Sequence, residues 1–392
     1  MVAAAAPPAL EGITVLDFAS VGPAARCSRI LADYGAQVVK LGPPPKHGAK
    51  QIQPPFHSYG AGRGFKRAQI DLKAPEGKDA FLRLAAKADV VIESFRPGVV
   101  DRLAIGYADV RAVNDRIIYC STSGYGQDGP SSKRAGHDLN YLALGGYLAC
   151  TTPRGDDGPP IPGATVADSA AGGMHAAIAI LAGLVRRQAV GRGEYLDVSV
   201  ADGVLQLMSL HIDGYLATGN EPGPGSDILT GRYACYDSYR TGDGKWMSVG
   251  AIEPPFFANL CRRLGCEKWI EHQTDDAVQD EMRADFTRAF AERSRSEWVD
   301  AFATVDTCIA PVYTVAELVE DPQLNSRGVF VEAEHPEKGA FRQVGPVLAG
   351  TTRSTGPYLV PDPRVTDTDE LLLAAGLSND AIATMRDQGV IA

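Results

Sequence analysis

A glycine-rich segment, residues 124–129 (GYGQDG), follows a predicted strand and has the spacing G-x-G-x-x-G. This spacing can indicate a dinucleotide site, in which the loop opens a helix whose N-terminus binds the pyrophosphate. Here the next residues are Pro130, Ser131 and Ser132, which do not begin an apolar helix. The context therefore favours a glycine-rich active-site loop over an NAD site.

Two side chains capable of acid-base chemistry are adjacent just after this loop, in AGHDLNY (135–141). An imidazole titrates near neutral pH, and a neighbouring carboxylate favours its charged form. The same pair in a turn can also serve only as hydrogen-bonding groups. His137 is thus a candidate catalytic residue, and Asp138 is a candidate ligand-binding residue.

An aspartate stands immediately before a long apolar run, in IPGATVADSAAGG (161–173). Asp168 could cap the predicted helix, because a carboxylate accepts hydrogen bonds from the first N–H groups and is stabilised by the helix dipole. It could equally act as a nucleophile or base. His175 lies seven residues later, two α-helical turns on, where a core or subunit-contact role is the simpler interpretation.

A further carboxylate, Glu253, lies in VGAIEPPFF (249–257), after a predicted strand and before Pro254 and Pro255. Proline suits the first helical position, so Glu253 could simply cap a helix. A strand-to-helix junction on a separate domain could also deliver a carboxylate to a cleft. The sequence leaves both alternatives open.

Five basic residues lie at or near the ends of strands or in the segments beside them: Lys40, Arg63, Lys66, Arg67 and Arg96. Open parallel sheets bind ligands at their strand ends. Arginine forks hold phosphate oxygens well, so a cluster of these side chains would suit a phosphorylated cofactor. The alternative is that each is a solvated surface charge.

Strands and helices must bring these residues together. Short apolar runs predict strands at 13–20, 37–42, 89–94, 116–123 and 196–200, and helical patterns predict helices at 24–34, 76–88, 100–113, from Asp168 onward, and at 205–217. This alternation predicts an α/β fold whose large domain is Rossmann-like, with a parallel sheet covered by helices on both faces.

A change in composition predicts a second, smaller domain. A Gly/Pro-rich linker is expected at 219–230, followed by a small α+β domain at 231–312 that begins with a hairpin turning at Asp243-Gly244. After a second linker at 313–329, residues 330–392 are expected to join 1–218 in the large domain. A short helix is predicted near 369–375.

Length and composition fit this organisation. The 392 residues are 45% hydrophobic and 22% charged, as in globular proteins of two or three folding units. A net charge of −10 argues against nucleic acid as the main partner. Seven scattered cysteines without a CxxC pair predict reduced thiols in a cytoplasmic protein, and the apolar stretch 170–185 is expected to be a buried helix rather than a membrane span.

Seven segments together resemble the class III CoA-transferase (CaiB/BaiF) superfamily, over about residues 10–350. They are LEGITVLDFA (10–19), DYGAQVVKL (33–41), ADVVIESFRPGVVDRLAIGY (88–107), NDRIIYCSTSGYGQDGP (114–130), AGHDLNY (135–141), GRGEYLDVSVADG (191–203) and VGAIEPPFF (249–257). Within the superfamily the chain looks more like the alpha-methylacyl-CoA racemases than the transferases. Racemases have a histidine in G-H-D-x-N-Y, an aspartate before the long helix and a glutamate in G-A-I-E-P.

The resemblance implies an interlocked homodimer that acts on an acyl-CoA thioester without a metal or prosthetic group. It implies that His137, Asp168 and Glu253 are catalytic. It also implies that CoA lies on the large domain near the five basic residues named above. The enolate oxygen needs preorganised donors, and backbone N–H groups near Asp138 are suitable. Racemisation then needs one base on each face of the α-carbon.

Two other functions remain open from the sequence. A transferase of the same superfamily would use Asp168 as the nucleophile that attacks the thioester. A protein that only binds CoA esters would perform neither reaction.

Overall fold

The structure, a computed structural model, describes residues 7–19, 21–45, 60–151, 158–351, 353–354, 356–362 and 365–392. The chain divides into two units. The first comprises Met1–Gly145, Pro162–Leu207 and Pro322–Ala392, and the second comprises Gly146–Ile161 and Met208–Asp321. The segment 219–230, predicted as a linker, therefore belongs to the second unit.

Residues 7–207 contain six strands and eight α-helices in the described part of the chain. The strands are β1 (Thr14–Asp17), β2 (Gln37–Gly42), β3 (Lys66–Gln69), β4 (Val90–Glu93), β5 (Ile118–Ser123) and β6 (Glu194–Ser199). The helices are α1 (Gly22–Asp33), α2 (Pro75–Ala85), α3 (Val99–Leu103), α4 (Tyr107–Val113), α5 (Asp138–Leu144), α6 (Tyr147–Cys150), α7 (His175–Val190) and α8 (Val200–Leu207), and a π-helical segment, Ala167–Met174, leads into α7.

The elements from residue 208 onward are shorter on average. The strands are β7 (Tyr236–Arg240), β8 (Trp246–Gly250), β9 (Ile309–Pro311), β10 (Phe330–His335), β11 (Gly339–Val344) and β12 (Tyr358–Leu359). The helices are α9 (Ser209–Thr218), α10 (Pro254–Leu264), α11 (Gln279–Ala291), α12 (Arg295–Phe302), α13 (Val315–Leu318), α14 (Pro322–Ser326), α15 (Thr368–Ala374) and α16 (Asn379–Asp387).

The first unit is built on a six-stranded parallel sheet with the order β3-β2-β1-β4-β5-β6. This is the Rossmann order, so the predicted fold class is confirmed. The order reverses between β1 and β4, and such a reversal opens a crevice at the carboxyl ends of the strands. Any ligand site of this unit is expected at that edge.

Helices cover both faces of the sheet. On one face α1 and α7 bury Leu31 and Ile180 against the strands. On the other, α2 buries Phe81, and the C-terminal helices α15 and α16 add Leu372 and Met385. The C-terminal segment is thus part of the first unit's core.

Two predicted helices differ from the observed ones. The helix predicted at 100–113 is interrupted because Ala104 adopts a left-handed conformation with φ of 52°, which separates α3 from α4. The helix predicted at 205–217 is instead two helices, since α8 begins at Val200 directly after β6 and α9 begins at Ser209. Neither change was evident from apolar spacing alone.

The helical run Ala167–Val190 is 24 residues long and is apolar enough to cross a membrane by length and composition alone. It is longer than the 170–185 stretch recognised in the sequence. Its buried face packs on the sheet, and the buried Arg187 forms an ion pair with Asp89, N to O 2.9 Å. One face of the helix is therefore packed in the core, as expected for the segment, and the opposite face is exposed.

The second unit contains the antiparallel sheet β7-β8-β9. The predicted hairpin is present, with Gly244 in a left-handed conformation in its turn. The core of the second unit is largely aromatic and includes Phe257, Phe286, Phe290 and Trp298. The chain leaves β8 through Glu253 and enters α10 at Pro254, so the strand-to-helix junction predicted there is confirmed.

Candidate active site

Asp168 lies in the first turn of the π-helical segment Ala167–Met174. The helical backbone already includes Val166, and the N–H of Ser169 donates to the carbonyl of Thr165 at 2.9 Å. The possibility that Asp168 is a helix N-cap is therefore wrong. Short π-helical turns are rare and occur often at functional sites, where they redirect a side chain.

The π-helical segment packs very closely against two helices, which explains its run of small residues. A Cβ on Gly172 would lie 2.5 Å from the Cβ of Pro23 in α1. A Cβ on Gly203 of α8 would lie 1.9 Å from the carbonyl oxygen of Ala171. Neither glycine can carry a side chain without displacement of the segment that holds Asp168.

His137 occupies the N-cap position of α5, with an extended backbone and an exposed side chain. Its backbone N–H donates to Oδ1 of Asn140 at 3.0 Å, which closes the turn without using the imidazole. The next residue, Asp138, accepts a hydrogen bond from the backbone N–H of Asp168 at 2.8 Å. The structure thus brings the His137 turn and the Asp168 segment into direct contact.

The charges around Asp168 act in opposite directions. Burial raises the pKa of the Asp168 carboxyl above its ordinary value, and the carboxylate of Asp138 raises it further. The positive charges of Arg26 and His137 lower it. Asp168 is therefore electrostatically coupled to His137, and its pKa is shifted towards neutral pH, where a proton-transfer group is most effective.

The glycine-rich loop 124–129 supports the His137 turn through Tyr141. The Tyr141 ring lies 2.5 Å from where a Cβ on Gly124 would be, and it packs edge-on against Tyr125 at 5.2 Å between centroids. Burial raises the pKa of Tyr141 to about 12, so the phenol stays protonated. The next described helix, α5, begins only at Asp138, which agrees with the rejection of an NAD site.

Glu253 and His175 are placed differently. Glu253 belongs to the second unit, is exposed, and accepts no side-chain capping bond from the described first turn of α10. His175 begins α7 and is half-buried, and its Nδ1 has no hydrogen-bond partner in the described part of the chain. The seven residues from Asp168 to His175 make two turns only in an α-helix, and the segment between them is π-helical.

A cavity of about 750 Å³ opens at the carboxyl ends of β1 and β2 and beside β3 and β4. This is the edge that the reversal in strand order indicates. Its wall is mainly apolar, with Phe18, Phe65 and Phe95, and its cations are Lys40, Arg67 and Lys73. Such a lining suits a ligand that combines an aromatic group with negative charge.

The predicted basic residues have distinct environments. Lys40 donates to the buried Asp17 at 2.7 Å and lines the 750 Å³ cavity. Arg67 also lines it, and its Nε is buried without a partner among the described residues. Burial lowers the pKa of Arg67. Arg96 lines a second cavity, of about 500 Å³, together with Arg102 and Lys133.

The other two basic residues point elsewhere. Arg63 is almost fully buried, pairs with Asp33 at 3.0 Å and donates to the carbonyl of Val344 at 2.7 Å. Lys66 pairs with Glu370 at 2.6 Å on the surface. Neither lines the described cavities. Their contacts favour a structural role, with Arg63 joining α1 to the end of β11.

Sequence reasoning missed three residues of this region. Arg26 of α1 contacts the Asp168 segment, and Asp17 and Glu93 end β1 and β4 as buried carboxylates. Asp17 and Glu93 carried a signal, because an acid within a short apolar strand is seldom buried without a reason. Arg26 carried none, since its partners lie about 140 residues later in the chain.

Glu93 is 2% exposed, and its carboxylate accepts the N–H of Phe95 at 2.7 Å. Burial raises its pKa from 4.5 to about 7, against the lowering effect of hydrogen bonds from Ser121 and Phe95. The folded state therefore binds a proton more tightly than the unfolded state does. The contribution of this carboxyl to the free energy of unfolding therefore falls as the pH rises from about 4.5 to 7. Above pH 7 the loss is about 3 kcal/mol.

Glu93→Gln is therefore expected to match the native protein in unfolding free energy near pH 5 and to exceed it near pH 8. Urea unfolding at the two pH values measures the difference. Glu370→Gln, at an exposed ion pair, is the matched control and should show no such pH-dependent gain. Equal stability of Glu93→Gln and the native protein at both pH values would contradict the assignment.

Comparison with known proteins gives consistent results. The model of CoA-transferase family III matches residues 10–367. Human alpha-methylacyl-CoA racemase is 34% identical over 385 residues, covering 98% of this chain and 97% of that protein. Human succinyl-CoA:glutarate CoA-transferase is 30% identical, covering 86% of this chain and 80% of that protein.

Solved structures agree with these sequence matches. The crystal structure of an M. tuberculosis protein superposes with a TM-score of 0.76 at 26% identity, covering 90% of this chain and 97% of that one. A CaiB/BaiF family protein from Brucella suis superposes with a TM-score of 0.74 at 25% identity, covering 94% of this chain and 99% of that one.

Proposed function

Because the chain belongs to CoA-transferase family III, we propose that it inverts the α-carbon of a 2-methylacyl-CoA thioester through an enolate. The resemblance predicted from the sequence is confirmed at the level of the family. Both a racemase and transferases are among the relatives. The observation that carries the racemase proposal is the contact between the His137 turn and the Asp168 segment, with His137 among the charges that act on the Asp168 carboxyl.

Racemisation moves one proton off the α-carbon and one proton onto its opposite face. In one direction, His137 takes the proton as a base, the C–H electrons move into the thioester carbonyl to give an enolate, and protonated Asp168 donates to the other face. In the reverse direction the roles exchange. The raised pKa of Asp168 supports this exchange, because a carboxyl of ordinary pKa seldom carries a proton at neutral pH.

The enolate oxygen and the imidazolium need their own stabilisation. Backbone N–H groups at the start of α5, near Asp138, are suitable donors to the oxygen because the first N–H groups of a helix have no partner within it. We assign to Glu253 the support of His137 when its ring is an imidazolium. A carboxylate beside an imidazole favours its charged form.

The CoA portion is proposed to bind at the strand-end edge of the first unit. The 750 Å³ cavity offers aromatic side chains and the cations Lys40 and Arg67, and the 500 Å³ cavity offers Arg96. Arginine holds phosphate oxygens with paired N–H groups, so Arg67 and Arg96 are the better phosphate ligands. Arg63 and Lys66 are engaged in ion pairs and are proposed to support this wall of the fold.

A homodimer is proposed for the active form. The outer face of the π-helical segment and α7 exposes Met174, Ile178 and Val185, and the last two are 65% and 69% exposed. An apolar helix stripe of this kind usually marks an interaction surface. In the dimer that the family resemblance implies, the partner's Glu253 would serve His137.

Ile178→Glu is expected to dissociate this dimer and to abolish most of the activity. Burial of an unpaired charge in an apolar interface costs free energy. Sedimentation and specific activity, both measured across a dilution series, check the result. Val113→Glu, at an exposed apolar residue of α4, is the matched control and should stay dimeric and active. A native protein that is monomeric and fully active would contradict the proposal.

The second candidate function is transfer of CoA between an acyl-CoA and a carboxylate. It is favoured by the transferases among the relatives and by the accessible position of Asp168, which is half-buried. Asp168 would attack the thioester to give a mixed anhydride and then an aspartyl-CoA thioester. The two functions differ in whether the α-carbon exchanges its proton.

Incubation with a 2-methylacyl-CoA in heavy water, with and without a carboxylate acceptor, separates these functions. Deuterium at the α-carbon without acceptor supports racemisation. Acceptor-dependent CoA exchange, with trapping of Asp168 by hydroxylamine, would establish transfer instead. Binding with neither reaction would leave only a CoA-ester-binding protein and would end the racemase proposal.

A further inference from the structure

Arg26 of α1 joins the two residues that flank Asp168 on its helical turn. Its Nε donates to Oγ of Ser169 at 2.8 Å, and its Nη2 donates to Oγ1 of Thr165 at 2.8 Å. These two hydroxyl oxygens lie 3.3 Å apart. One guanidinium therefore holds the start of the π-helical segment at the position of Asp168.

Contacts within α1 and with the π-helical segment hold Arg26 in place. Arg26 Nη1 donates to the carbonyl of Gly22 at 3.3 Å within α1. A Cβ on Gly173 would lie 2.8 Å from the Cβ of Arg26, so α1 and the π-helical segment are in close contact there. A planar guanidinium held by several bonds directs its charge more firmly than a lysine ammonium would.

The other groups around Asp168 show what Arg26 adds. From the start of α5, Asp138 brings a negative charge, His137 brings a positive one, and Tyr141 remains neutral. From α8, Val200 and Gly203 lie against the segment.

Other titratable residues on these packing elements include Asp202 and His175. Asp202 of α8 is exposed, and His175 of α7 is half-buried. The pKa of Asp168 is set by its burial and by the charges of Asp138, Arg26 and His137. Arg26 is thus the permanent cation that opposes Asp138.

We propose that Arg26 is a positioning residue for the proton transfer, which orients the Asp168 carboxyl and favours its ionised form when it acts as the base. The inference rests on the proposed function, in which Asp168 exchanges a proton with the α-carbon. Arg26 acts through Asp168, because two of its described donors bind Thr165 and Ser169, which stand before and after Asp168 in the chain. Loss of Arg26 should therefore change the pH dependence of the reaction as well as its rate.

Removal of the guanidinium charge leaves the repulsion from Asp138 opposed only by His137. The Asp168 carboxyl then holds its proton to higher pH. We expect Arg26→Gln to move the acidic limb of the α-deuterium exchange profile upward by about one pH unit. The exchange rate on the plateau should also fall, because the turn loses two hydrogen bonds.

Arg26→Lys separates charge from geometry. It keeps the positive charge, so the acidic limb should stay near its native position, while the plateau rate falls because an ammonium cannot reproduce the paired bonds. Arg83→Gln, at an exposed ion pair on α2, is the control for loss of one surface charge and should change neither quantity. Arg26→Lys also keeps the test available if Arg26→Gln does not fold.

A direct titration of Asp168 distinguishes failure of this inference from failure of the proposed function. The carboxyl carbon of Asp168 can be followed by NMR in protein labelled at aspartate, native and Arg26→Gln, whether or not any exchange occurs. An upward shift in the variant supports the inference. An unmoved titration, or an Arg26→Gln profile lowered equally at every pH, would overturn it in favour of a purely structural contact.

Discussion

For the enantiomer whose α-proton faces His137, replacement of His137 by alanine is expected to lower α-proton exchange by about a thousandfold, since a positioned general base contributes between about a hundredfold and ten-thousandfold. The fold should survive, because the N-cap bond to Asn140 uses the backbone N–H of His137 and not its ring. Deuterium incorporation into a 2-methylacyl-CoA, followed by mass spectrometry, measures the loss. Circular dichroism and the unfolding midpoint show whether the variant is folded.

A surface histidine supplies the control for this result. His272 of the second unit is about half exposed, and its Nδ1 lies 3.2 Å from Asp275. His272→Ala should exchange at the native rate. If His137→Ala exchanged both enantiomers within twofold of the native rate, His137 would have no part in the mechanism.

Replacement of Gly203 by alanine is expected to destabilise the first unit by about 3 kcal/mol or to prevent its folding. The added methyl group would lie 1.9 Å from the carbonyl oxygen of Ala171, and backbone at that distance must move. Overpacking of a core contact costs between about 1 and 3 kcal/mol, and occasionally more. The displaced segment carries Asp168, so activity should fall with stability.

Gly214 of α9 provides the matched substitution. It is also helical, and a Cβ there would meet nothing within 4 Å. Gly214→Ala should therefore be neutral or stabilising by up to about 1 kcal/mol, from helix propensity. Urea unfolding of both variants makes the comparison. A Gly203→Ala protein as stable as Gly214→Ala would contradict the close packing described for α8.

The sheet was predictable where strands are short, apolar and buried. β2 was expected at 37–42 and lies at Gln37–Gly42, and β4 and β5 differ from their expected bounds by one or two residues. β3 was missed because its sequence, KRAQ, is mostly polar, as suits an edge strand exposed on one side. The strands β10 and β11 were missed for a similar reason, since charged residues interrupt their apolar pattern.

The site was predictable in residue type but not in assembly. His137 and Asp138 stood out as adjacent acid-base groups, and Asp168 stood out before an apolar helix. That Asp138 accepts the N–H of Asp168, 30 residues later, depends on how α5 packs, and local sequence does not encode it. The π-helical start of the long helix was also invisible, because its small residues fit an α-helix equally well.

The basic residues illustrate the same limit. Strand-end position suggested that all five face a ligand, yet Arg63 forms an ion pair with Asp33 and Lys66 forms one with Glu370. These partners lie 30 and 304 residues away in the chain. Whether a cation is available to a ligand depends on such distant pairings.

The most direct measurement follows the α-proton of each separate enantiomer of a 2-methylacyl-CoA in heavy water, with His137→Ala and with Asp168→Asn. Each variant keeps one base, so His137→Ala should exchange one enantiomer without inverting it, and Asp168→Asn should exchange only the other. If both variants exchanged the same enantiomer, or if either still interconverted the two at the native rate, the imidazole and the carboxyl would not stand on opposite faces of one carbon.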